Sequence, residues 1–197
     1  MRRMLVFFAL LGCGRKTPPP APAPAPTPAP EAPAEVDPAA RGVESAELAA
    51  VLTEHWNALM ERHPTWASDL GDHRWDDRVT DTSLDAEAAF EVRKREWLER
   101  LEALEGLSEA DALNRDLLAH ELRTDLATNV CKRSIWSFSP RDNPLLDGNG
   151  MAAEHDISSA EDAEHLIARL TGLTAQLKVR IENVRKGLSE GYVANRA

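Results

Sequence analysis

Apolar residues recur every three or four positions over nearly the whole stretch from Glu44 to Gly191. No run alternates with period two over a useful length, so a sheet would have no face to bury and an all-α fold is expected. Leu48, Val51, Leu52, Trp56, Leu59 and Met60 form one helical stripe, which Pro64 stops. An irregular segment rich in Asp, Gly and Arg runs from Asp69 to Ser83. Ser83 suits the N-cap of a second helix carrying Phe90, Trp97, Leu101 and Leu104, which Gly106 ends. Ser108-Glu109-Ala110-Asp111 resembles a capping box with Asp in place of the usual Glu or Gln. Behind it Leu113, Leu117, Leu118, Leu122, Leu126 and Val130 make a third stripe.

A second irregular segment spans Ser134 to Ile157, with Trp136, Phe138, Pro140, Pro144, Gly148 and Gly150. Ser158 and Ser159 ahead of Glu161 and Asp162 restart a helix. Ala163, Leu166, Ile167, Leu170, Leu173, Leu177, Ile181, Val184 and Leu188 keep one face of it apolar, and Gly172 is placed to break it in two. The expected architecture over residues 41–197 is therefore an array of four or five helices with two irregular loops.

The chain begins differently. Arg2-Arg3, an apolar run from Met4 to Leu11, then Gly12-Cys13 form an export signal of the bacterial lipoprotein type over residues 1–12. The run is far shorter than the ~20 apolar residues that span a bilayer. Acylation of the Cys13 thiol would tether the mature chain to a membrane by its first residue. Residues 13–40 are largely Pro and Ala, a composition that favours an extended polyproline-like spacer. The bland alternative is a misassigned start, with Cys13 an ordinary cysteine ahead of a disordered tail. Gly14 after Cys13 is not a retention residue of the aspartate kind, so the periplasmic face of the outer membrane is expected over the inner membrane.

Composition excludes some partners. The net charge is −10, and no Lys/Arg cluster lies outside the signal, so nucleic acid is not an expected ligand. With Cys13 acylated, Cys131 is the remaining thiol, so no intramolecular disulfide is expected and stability must come from packing.

Candidate chemistry is sparse. His120-Glu121-Leu122-Arg123-Thr124 begins like a zinc-binding helix, but Thr124 stands where the second histidine ligand belongs. No catalytic residue and no metal ligand is assigned, and no cofactor is expected in this chain. The densest polar cluster is the loop holding Asp72, His73, Arg74, Asp76, Asp77 and Arg78. It admits two readings. Arg74 and Arg78 could hold a ligand carboxylate in bidentate fashion, with Arg141 of the second loop as a further candidate. Alternatively, Asp and Arg pair with one another to stiffen the connection while Trp75 plugs the core; the composition favours this second arrangement. Trp136 and Phe138 are expected to anchor their loop to the helices.

The segment Thr65 to Asp81, containing Gly71-Asp72-His73-Arg74-Trp75-Asp76-Asp77-Arg78, resembles the opening block of the bacterial domain-of-unknown-function 885 family. Leu113-Asn114-Arg115-Asp116-Leu117-Leu118, Ser139-Pro140-Arg141-Asp142-Asn143-Pro144-Leu145 and a closing block of Glu161-Asp162-Ala163-Glu164, Arg169-Leu170 and Gly187-Leu188-Ser189-Glu190-Gly191 are similar to later blocks, so the resemblance runs from Glu44 to Ala197. It implies an exported, mostly helical protein similar to zinc metallopeptidases, whose His-Glu-x-x-Pro-Gly-His motif lies much later. No position of that motif occurs here. The resemblance thus implies an N-terminal piece, inert alone, with zinc and peptide substrate expected only when the remainder is supplied. The alternative is a standalone membrane-tethered helical lipoprotein that binds an envelope protein. Self-association is expected if the last helices expose apolar faces.

Overall fold

The computed structural model describes residues 37–137, 150–151 and 155–193. The signal, Cys13, most of the Pro/Ala segment, Phe138 and Arg141 lie outside the described residues. Five helices carry the fold, and no strand occurs among the described residues. They are α1 (Ala46–Arg62), α2 (Pro64–Asp69), α3 (Leu84–Glu102), α4 (Glu109–Thr128) and α5 (Ala160–Ser189). Short 3₁₀ turns occur at Pro38–Ala40, His73–Trp75, Asn129–Cys131 and Arg133–Ile135. None of the described helices is long and apolar enough to cross a membrane.

Serines start four of the helices by accepting an otherwise unpaired backbone N–H. Ser45 accepts from Leu48, Ser83 from Ala86, Ser108 from Asp111 and Ser159 from Asp162. The box expected at Ser108 is only half made. The Asp111 carboxylate turns away from its own helix and accepts the backbone N–H groups of Ser45 at 2.8 Å and Glu44 at 3.2 Å. It is buried, and it ties the start of α1 to the start of α4. A complete box forms at Ser159, where the Asp162 side chain returns to the cap backbone.

Leu48, Val51 and Ala58 of α1, Phe90, Trp97 and Leu101 of α3, and Leu118, Ala119 and Leu122 of α4 form one buried cluster. His55 joins it edge-on against the Trp97 ring, centroids 5.2 Å apart. The α4 stripe is buried only in its centre, because Leu113, Leu117 and Val130 are exposed. Pro38–Ala40, placed in the spacer by composition, instead forms a turn that packs on α1 and buries Ala40.

The last helix departs most from expectation. Gly172 does not break it: α5 runs unbroken for 30 residues, and a Cβ at Gly172 would lie 3.3 Å from the Val79 side chain. Its buried residues are Arg169, Asn183 and Gly187, whereas Ile167, Leu170, Ile181 and Leu188 face outward. Gln176 and Asn183 each donate to a backbone carbonyl of the first loop, Thr80 and Thr82, at 2.8 Å. At Gly187 the backbone approaches Ile135 so closely that any Cβ would sit 2.1 Å from its carbonyl oxygen.

Candidate functional site

The polar loop is assembled by α2 and its exit. Pro64 closes α1 and occupies the first turn of α2, where a missing N–H costs nothing. Gly71, with φ +83°, turns the chain after the helix. Asp72 then caps the His73–Trp75 turn through the Arg74 N–H, which brings Asp76 back toward Ser68.

At the centre is Arg169, 2 % exposed, reaching across from α5. Its guanidinium donates to the carbonyl oxygens of Arg78 (3.0 Å) and Trp75 (3.1 Å), to Ser68 Oγ (2.8 Å) and to Asp76 Oδ1 (3.3 Å). A further donor meets His155 Nδ1 at 3.3 Å. The His155 Nε2 lies 2.8 Å from the Asp162 carbonyl, which can only accept, so that nitrogen carries the hydrogen and Nδ1 accepts from Arg169. Asp76 completes the cluster: Oδ1 accepts from Ser68 Oγ at 2.5 Å and Oδ2 meets His73 Nδ1 at 2.8 Å.

Burial pushes the Asp76 carboxyl up, but the hydrogen bonds of Ser68 and His73 and the Arg169 charge outweigh it and hold it below its ordinary value. Burial pulls the Arg169 guanidinium down, and the Asp76 charge opposes that. The hydrogen bond from Arg74 holds Asp72 below the usual carboxylate range.

These contacts decide what the loop can do. Ser68 and His73 both bond Asp76, so the hydroxyl is not paired with an imidazole that could take its proton, as a serine nucleophile requires. Arg74 closes its fork on Asp72, through Nε at 2.8 Å and Nη2 at 2.7 Å, and also reaches Asn57. Arg78 pairs with Asp77 at 3.4 Å, both largely exposed. Trp75 does not plug the core. It is half-buried, with the Arg74 guanidinium 4.2 Å from its ring centroid. The structure therefore brings Asp72, Arg74, Asp76 and His73 together and sets Asp77 and Arg78 at the surface.

Three of the cluster's members, Ser68, His155 and Arg169, are not among the candidate site residues of the sequence, although Ser68 and Arg169 lie in blocks that carry the family resemblance. A cue for Arg169 was available: with Gln176 and Asn183 it repeats every seventh residue on a helix otherwise striped with apolar side chains.

His120 is exposed, and the Thr124 hydroxyl bonds back to its carbonyl at 2.9 Å. Among the described residues no three His, Cys, Asp or Glu side chains converge, so these donors do not fit a zinc ion. A separate cleft of about 440 Å³ opens between the Pro38–Ala40 turn, α1 and α4. Leu52, Trp56, Leu59 and Trp66 line it, with Arg41 and Glu121 supplying charge.

A comparison with curated proteins finds no match. A family model described as "Bacterial protein of unknown function (DUF885)" matches residues 64–197. The match begins at Pro64, not Glu44, so α1 precedes it while the whole polar loop and Arg169 fall inside. The chain belongs to the DUF885 family.

Proposed function

We propose that this chain is the helical, non-catalytic N-terminal part of an exported DUF885 lipoprotein, held to a membrane by lipid on Cys13 and inert by itself. What supports this most is the way the polar loop is used. Asp72, Asp76, His73 and Arg74 are tied to one another, to Ser68, Asn57 or Arg169, which leaves a brace where a catalytic constellation would need open donors. The brace holds α2 and the loop against α5, which makes it a platform for the rest of the protein.

The purified chain should bind no stoichiometric zinc and hydrolyse no peptide. Tight one-to-one zinc with measurable cleavage would overturn the inert reading. For the tether, Cys13→Ser should move the protein from the membrane fraction to the soluble fraction and abolish incorporation of labelled palmitate. Unchanged membrane association would remove that part of the proposal.

The cleft favours a second reading, a standalone envelope lipoprotein that binds a partner through Trp56 and Trp66. The genomic DNA downstream separates the two. A frame encoding His-Glu-x-x-Pro-Gly-His supports the first reading, and an unrelated gene supports the second.

A further inference from the structure

The outward face of α5 carries a strict seven-residue repeat. Ile167, Thr174, Ile181 and Leu188 occupy one position of it, and Leu170, Leu177 and Val184 lie three residues after the first three of them. Such a seam is the pattern by which helices pair side by side. Most of it looks into solvent, with Ile167 64 %, Leu170 40 %, Ile181 50 % and Leu188 56 % exposed, while Leu177 and Val184 are half-buried. The helix is held to its own domain by the opposite, polar face.

Charge says what covers the seam. Along its exposed flank the first half of α5 offers Glu161 and Glu164, and the second half offers Lys178 and Arg185, with Glu182 between them pairing with Arg185 at 2.6 Å and leaving that half net positive. Two copies laid antiparallel, with Leu170 of one against Ile181 of the other, bring Ile167 against Val184 and Thr174 against Leu177. The same register places Glu164 opposite Arg185 and Thr171 opposite Lys178. Packing and charge thus select one alignment independently. Ala168, Thr171 and Ala175 near its centre leave room for axes about 8–10 Å apart. A parallel pair would instead set Arg185 against Arg180 of the second copy and Lys178 against Leu173.

We propose that α5 is the dimerisation helix of this protein, pairing antiparallel with α5 of a second copy. The full chain is tested in detergent micelles with Cys131→Ser as background. Ile181→Glu lies at the surface, so the fold should survive by circular dichroism, and dissociation read by sedimentation should strengthen at least about tenfold. Glu164→Arg alone should weaken the dimer, and adding Arg185→Glu in the same chain should restore it. Chains carrying Glu164→Cys should crosslink through a short bis-maleimide to chains carrying Arg185→Cys, and not to one another. A monomer at all concentrations, crosslinking between two Glu164→Cys chains, or absence of charge-swap rescue each overturns the proposal.

Discussion

Two parts of this molecule use the same helical periodicity in opposite ways. In α1, α3 and α4 the apolar stripe points inward, and Leu48, Trp97, Leu101 and Leu122 make a core from which water is excluded. In α5 the residues turned toward the domain are Arg169, Gln176, Asn183 and Gly187, and the apolar stripe is partly left in water. The first part is held by the non-directional burial of carbon. The second is held by directed hydrogen bonds to loop carbonyls, together with a glycine contact at Ile135 that admits no larger residue. A stripe in a sequence identifies a face that must be covered, and it leaves open what does the covering.

The hardest test of that contrast is Arg169→Met. It strands buried Asp76 and several carbonyl groups, so a loss of about 3–5 kcal/mol is expected. Amide exchange should rise first in α5 and the Asp69–Ser83 loop, with α1, α3 and α4 protected for longer. Simultaneous loss of protection everywhere would merge the two regions into one unit. Leu101→Ala should cost about 3 kcal/mol through the cavity it leaves, and urea unfolding should show the whole chain weakened. Gly187→Ala should cost about 1–3 kcal/mol and loosen chiefly the end of α5, because its methyl would collide with the Ile135 carbonyl. An unchanged midpoint would mean the two backbones separate without penalty.

Acid separates the regions further. Burial holds the imidazoles of His55 and His63 below the ordinary value of 6.5, so the unfolded chain takes up their protons first. Stability of the first region should therefore fall as pH drops below about 6.5, and His55→Gln should flatten part of that slope in urea titrations followed by Trp fluorescence. The α5 cap responds lower. Hydrogen bonds from Ser158 and Ser159 hold the Asp162 carboxyl at about 2 against an ordinary 3.8. Its contribution persists above pH 3.8 and disappears as pH falls through about 2, visible as fraying of the first turn by amide exchange. This effect should be the smallest of the five, because Asp162 is solvated.

How much of this was legible depended on whether a residue acts through its neighbours in sequence or through distant ones. Serine caps and the stripes of α1 and α3 are local, so Ser83, Phe90, Trp97 and Leu101 stood out from spacing alone. Asp111 looked like a capping residue because the box lies within four positions, yet its carboxylate acts on a backbone 66 residues away. Arg169 falls in a block of the family resemblance, but nothing near it in sequence names its partners. Only the fold shows that Ser68, Trp75, Asp76, Arg78 and His155 converge on it. Gly172 was misjudged for a related reason: glycine weakens a helix in isolation, whereas here its missing side chain makes room for Val79.

The cross-cap at Asp111 also orders events in time. As the chain leaves the ribosome, the N–H groups of Glu44 and Ser45 emerge long before the carboxylate that satisfies them, and the loop carbonyls wait for Arg169, which follows by about 90 residues. A nascent chain of the first hundred residues has neither clasp and stays pliable. The domain locks only when its later helices appear, so its stability is decided by the last third of the chain to be made.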